Sequence, residues 1–186
     1  MIEIRRSDSH AWIGQNLIPW LSECSGVQVK PLAELRTCVS ELFNNIADHT
    51  GLDVGSIFAQ WYPNERRIEI CIADFGPGIP HTVARVKPGL TDAEAISKAL
   101  EDGFTSKSLP TNQGVGLHYL QQNVVENLDG ELSIQSCGGG LNVKKIGNIV
   151  RKVPYSTGGF CPGTMIEMRF STDRIDQTDE DGEFAW

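Results

Sequence analysis

Glu41, Asn45, Asp48 and His49 recur at helical spacing in the stretch LRTCVSELFNNIADHT, residues 35–50. At about 100° per residue they project from one sector of a helix, while Leu32, Leu35, Val39, Leu42 and Ile46 line the neighbouring one. A carboxylate, an amide, a second carboxylate and an imidazole can transfer protons and offer hard oxygen ligands to a cation. Polar residues beside an apolar stripe also make an ordinary solvated helix face, so this helix alone decides nothing.

Three further groups accompany it. Asp74-Phe75-Gly76-Pro77-Gly78-Ile79-Pro80 follows a strand-like run, and its glycines permit a sharp turn and a close backbone approach to a ligand. Thr105, Ser106 and Lys107 lie in a polar, glycine-bearing segment between two helical patterns, the composition of a lid loop. Gly114-Val115-Gly116-Leu117 opens a helix, where free N–H groups and the positive end of the helix dipole suit phosphate. No GxxxxGK[ST] stretch occurs, which excludes a P-loop nucleotide site.

Taken in order, E-x3-N-x2-D-H on a helix, D-x-G-x-G after a strand, T-S-K then G-x-G-L, and Gly163-Thr164 in a last strand resemble the nucleotide-binding domain of the GHKL superfamily. That superfamily comprises gyrase, the ninety-kilodalton heat-shock chaperone, sensor histidine kinases and mismatch-repair ATPases. The resemblance spans residues 31–170 and implies an α/β (α+β) two-layer sandwich, a mixed, mainly antiparallel sheet with helices on one face. It implies ATP and Mg as ligands. Asn45 matches the magnesium-holding amide, Asp74 the adenine-reading carboxylate, and Thr164 the hydroxyl supporting the same edge. Gly76, Gly78 and Ile79 would pass close to the nucleotide. Thr105, Ser106 and Lys107 match lid residues, Gly114, Val115, Gly116 and Leu117 the phosphate-facing turn, and Asp48 a pocket-ordering residue. Glu41 stands where activating members keep a general base; a carboxylate that only holds magnesium-bound water is the alternative. His49 matches the spacing of small anti-sigma regulatory kinases, and a helix-capping imidazole explains it equally well. The resemblance therefore implies a serine/threonine kinase of the anti-sigma type acting on a protein substrate or antagonist, or else a slow ATPase that switches a partner through lid closure.

The elements that must position these residues follow from patterning. Ile2 and Ile4 suggest a short strand, and Ser9 a cap for a helix through Trp12, Ile13, Leu17, Trp20 and Leu21, with Pro19 as a kink. Residues 1–30 thus form an arm whose two tryptophans suit core packing or a homodimer contact. Pro31 starts the Glu41 helix and Thr50-Gly51 ends it. Residues 54–62 and 67–73 read as a hairpin around Pro63-Asn64-Glu65, with Ile68, Ile70 and Ile72 on one face. Thr91-Asp92-Ala93-Glu94 is a capping box. Leu117, Leu120, Val124 and Leu128 stripe the next helix. Strand residues 131–136, a glycine turn at 138–140, a further strand region to Val153 and the alternating residues 163–170 complete the sheet. Residues 171–186, with six acids and one arginine, read as a solvated, disordered tail.

Composition bounds the rest. A chain of 186 residues with 40% hydrophobic content suits one domain. A net charge of -8 disfavours a general nucleic-acid surface. Cys24, Cys38, Cys71, Cys137 and Cys161 are odd in number and never spaced as CxxC, which suggests neither a disulfide framework nor a zinc site. That usage, with no apolar signal segment or membrane-length run, leads to the expectation of a soluble cytoplasmic protein with no membrane contact. His10, His81 and His118 show no ligand spacing.

Overall fold

The computed structural model describes residues 1–30, 32–50, 53–104 and 116–177, without the side chains of residues 34, 47–50, 116, 176 and 177. Among the described residues five strands, β1 (Ile2–Arg5), β2 (Val54–Tyr62), β3 (Arg67–Asp74), β4 (Glu131–Ile146) and β5 (Ile149–Ser171), form one sheet in the order β1-β2-β3-β5-β4, and every pairing is antiparallel. The expected antiparallel sheet carrying helices is therefore present, and no parallel pair occurs among the described strands.

Period-two alternation explains which face is covered. Ile57, Ile72, Ile166 and Ile134 pair in succession across four strands, and all four are buried. The other face carries ion pairs instead: Arg169 meets Glu69, Glu167 and Glu131. Between β2 and β3 a single 3-10 turn, Pro63–Glu65, passes the chain to Arg66, which adopts φ 46°. The proline fixes the first turn residue, so the expected hairpin forms.

Against the apolar face lies α3 (Ala33–Thr50), which presents Leu35, Val39, Leu42 and Phe43 to the core. The arm packs beside it as β1, α1 (Arg6–Trp12), a π-helical segment Ile13–Leu17 and α2 (Ile18–Ser25). Ser9 does not cap α1. The helix starts three residues earlier, with Arg5 extended at its N-cap, and the Ser9 hydroxyl donates back to the Arg6 carbonyl at 2.8 Å. Pro19 sits in the first turn of α2, just after the π segment, where its missing N–H and ring disturb the regular ladder. Trp12 packs against the core while Trp20 stays 40% exposed.

One helix adds to the expected elements, and two other expectations change. A short helix α4 (Ile79–Ala84) follows the glycine loop, with Pro80 in its first turn. Gly138 to Gly140 make no turn: β4 runs through them with register shifts, and the chain reverses at Gly147, where φ is 60°. Those glycines serve close packing, since a Cβ on Gly139 would stand 2.5 Å from the Ala93 backbone and one on Gly140 would enter the Tyr155 ring. Finally, Thr172–Gln177 form α7 instead of continuing as a solvated tail. Thr172 and Ile175 are buried, Thr172 donates to the Arg66 carbonyl, and Arg174 pairs with Asp129. Residues 178–186 lie outside the described residues.

Candidate functional site

At the end of β3, Asp74 points to the helical side of the sheet, in register with Thr164 of β5, which in turn pairs with Ser136 of β4. The rows of alternating residues that bury Ile72, Ile166 and Ile134 place these three polar side chains one step further along the same face. All three are buried, Ser136 completely. Their hydrogen bonds are shared out closely. Asp74 Oδ1 accepts the Gly76 N–H at 2.7 Å, and the Thr164 backbone amide also serves the carboxylate. Ser136 Oγ donates to the Gly163 carbonyl at 2.6 Å and accepts the Ile79 N–H at 3.0 Å. That hydroxyl has one proton, so the 3.2 Å contact between Ser136 and Thr164 is a donation from Thr164. Thr164 therefore keeps acceptor capacity free.

Burial pushes the Asp74 carboxyl above its ordinary value, and the two amide bonds oppose that rise. A buried carboxylate with remaining lone pairs is a strong acceptor for an amine that enters the site.

The loop between β3 and α4 is shaped by missing side chains. Gly78 has φ 84°, and a Cβ there would lie 2.7 Å from Ser136 Oγ. Gly163 has φ 81°, and a Cβ there would lie 2.0 Å from the Asp74 carbonyl oxygen. Both positions combine a left-handed backbone with contact distances that exclude any side chain. Ile79 opens α4 and packs partly buried against the core. Sequence reasoning named Asp74, Gly76, Gly78, Ile79 and Thr164, which the structure brings together in space. It missed Ser136, whose only sequence signal was an inward position on the strand before the glycines.

Glu41 and Asn45 occupy one flank of α3, both half-buried. No hydrogen bond or ion pair joins either side chain to another described residue, so their polar groups are available. Along α3, Ser40 and Asn44 fall on another sector, where with Arg5, Arg6, His10 and Asp53 they line a separate cleft of about 530 Å³. Asp48 and His49 belong to α3, but their side chains lie outside the described residues, as do Thr105, Ser106, Lys107, Gly114 and Val115. Gly116 is the first residue of α6 (Gly116–Gln121), which continues as a π-helical segment Gln122–Asn127. Leu117 packs partly buried against the core, and α6 touches α3. The helix α5 (Asp92–Ala99), with its capping box between Thr91 and Glu94 formed, braces β4 through an Asp92 carboxylate that accepts the Gly138 N–H.

The donor set fits an adenine nucleotide with magnesium. Asp74 supplies an acceptor for an exocyclic amine, and Asn45 supplies a hard amide oxygen. Among the described residues no group of three or more His, Cys, Asp or Glu could hold a metal ion. No helix among them is long and apolar enough to cross a membrane.

A family model described as histidine kinase-, DNA gyrase B- and HSP90-like ATPase matches residues 32–173. Comparison with curated proteins gives no match. Among solved structures, the ATPase region of Saccharomyces cerevisiae topoisomerase II bound to ICRF-187 (dexrazoxane) is similar at 16% identity and a TM-score of 0.39. The match covers 78% of this chain and 38% of that one, so the chain spans well under half of the relative's length.

Proposed function

Since the chain belongs to the histidine kinase-, DNA gyrase B- and HSP90-like ATPase family, we propose that it binds Mg-ATP against Asp74 and α3 and uses it to regulate a protein partner. The observation that carries this reading is the buried Asp74 carboxylate, held by the Gly76 and Thr164 amides with acceptor capacity left over. Adenine presents an amine at the edge where guanine presents a carbonyl, so a carboxylate acceptor selects the first and repels the second. Thr164 adds a second acceptor beside it. Bound magnesium would supply charge neutralisation at the phosphates, and Asn45 is the residue that would hold it.

Within this reading Glu41 is the general base, set one helical turn before Asn45 on the same flank of α3. The acceptor of the phosphoryl group is a serine or threonine hydroxyl of a partner protein, as in an anti-sigma-type kinase. The second reading, slow hydrolysis coupled to lid closure, is favoured by the family match, which covers gyrase- and chaperone-like ATPases as well as kinases. Thr105, Ser106 and Lys107 are the lid in either case, and Gly114, Val115, Gly116 and Leu117 the turn that meets the phosphates.

Incubation with γ-labelled ATP and candidate partners separates the two. Labelled phosphoserine or phosphothreonine that disappears in Glu41→Ala supports the kinase; free phosphate without labelled protein supports the switch. If Mg-ATP neither raises the melting temperature nor binds in calorimetry, the nucleotide reading fails altogether.

A further inference from the structure

We propose that Cys137 and Cys161 form a reversible disulfide site at the shoulder of the Asp74 loop, closed by a peroxide oxidant. In the sequence the cysteines look scattered, but antiparallel pairing brings these two directly opposite each other on β4 and β5. Facing residues on antiparallel strands have Cα atoms about 4.5–5.5 Å apart, inside the window of about 4.4–6.8 Å that a disulfide spans. This pair is a single rung between two register shifts, one on each side. Cys137 holds a positive φ of 54°, so the backbone there is already unusual. Both thiols are half-buried.

The rung touches the nucleotide loop. Cys137 Sγ donates weakly to the Pro77 carbonyl at 3.7 Å, and a Cβ on Gly78 would lie 2.9 Å from that sulfur. Ser136, the adjoining residue, holds both Ile79 and Gly163. Turning Cys137 Sγ toward Cys161 withdraws the sulfur from Pro77 and clamps β4 to β5 where the loop docks.

The chemistry balances with hydrogen peroxide as the oxidant. One thiolate attacks the O–O bond, giving a sulfenic acid and hydroxide, which leaves as water. The second thiol then attacks the sulfenic sulfur, forming the S–S bond and releasing a second water. Two electrons and two protons leave the cysteines, and peroxide is reduced to two waters. Burial holds both thiols above their ordinary value, with Asp92 adding to the effect at Cys137 and Asp74 at Cys161, so the reaction is slow at neutral pH. Cys71, whose thiol is pushed up by burial and slightly by Cys161, is the competing partner.

The coupling to nucleotide rests on the Asp74 reading above; the disulfide itself does not. The full chain is treated with hydrogen peroxide at pH 8, alkylated and mapped by mass spectrometry. The expected result is a Cys137–Cys161 cross-linked peptide about 2 Da lighter than its two thiol halves. It is reversed by dithiothreitol and absent in Cys137→Ser and in Cys161→Ser, while Cys71→Ser still forms it. A Cys71–Cys161 link, or sulfinic acid without any cross-link, overturns the site. In calorimetry the oxidised protein is expected to bind ATP several-fold more weakly than the reduced protein, a difference that Cys137→Ser abolishes. Equal affinity of both forms overturns the coupling. Absence of ATP binding in the reduced protein refutes the function proposed above and leaves the mapped disulfide standing.

Discussion

The Asp74 shoulder and the Glu41–Asn45 flank of α3 are built in opposite ways. At the shoulder, Asp74, Ser136 and Thr164 are buried and bonded to the amides and carbonyls of three different segments. On α3, Glu41 and Asn45 are half-buried and their side chains bond to no other described residue. Interlocked, satisfied groups hold their geometry before any ligand arrives, whereas free polar groups on a helix acquire their geometry from what they bind. Under the proposed function the shoulder recognises the base and the α3 flank takes part in the reaction.

Four substitutions would break or sharpen that contrast. The largest effect is expected from Glu41→Gln. As the proposed general base it would contribute about 10²–10⁴-fold, so phosphoryl transfer should fall by that factor while ATP affinity, measured by calorimetry, stays within about twofold. A matching loss of affinity would make Glu41 a binding residue and erase the distinction. Asp74→Asn should weaken ATP about 10–100-fold, as expected for a charge-assisted hydrogen bond. Gly163→Ala should destabilise the fold by about 3 kcal/mol, because the new Cβ meets the Asp74 carbonyl at a strained φ; a denaturant melt reads this directly. Asn45→Ala should reduce affinity only about tenfold, and only in the presence of magnesium. Equal loss with and without the metal would make Asn45 a contact to the nucleotide instead.

The pH dependence tests the shoulder alone. With its folded value raised by burial, Asp74 favours the folded state most when protonated, at pH below its unfolded value, and that contribution is lost as pH rises through the folded value. Under the proposed function nucleotide binding runs the other way, since it would use the carboxylate. ATP affinity should therefore fall as pH is lowered through the raised value of Asp74, and Asp74→Asn should remove that dependence.

Much of this was readable from periodicity. Ile68, Ile70 and Ile72 announce a strand buried on one face, Thr91 and Glu94 a helix start, and Asp74 with Gly76 and Gly78 a sharp loop after a strand, because each is a local pattern with a local cause. What stayed hidden depends on partners far along the chain. Ser136 gains its role from Gly163 and Ile79, Gly139 from Ala93, and Cys137 from Cys161. The glycine run suggested a turn because glycine permits both a reversal and a close approach, and only the packing of α5 decides between them. Thr172 and Ile175 lay within an acidic stretch whose average hid two anchoring residues.

The four-residue strand β1 carries a last consequence. It pairs with Val54 to Ile57 at one end of β2, and no described strand pairs with Phe58 to Tyr62 along that border. Removal of residues 1–5 would leave the whole border of β2 with open N–H and C=O groups, a template for strand addition by another chain. A preparation lacking that segment should self-associate in light scattering even where the fold around Asp74 is intact.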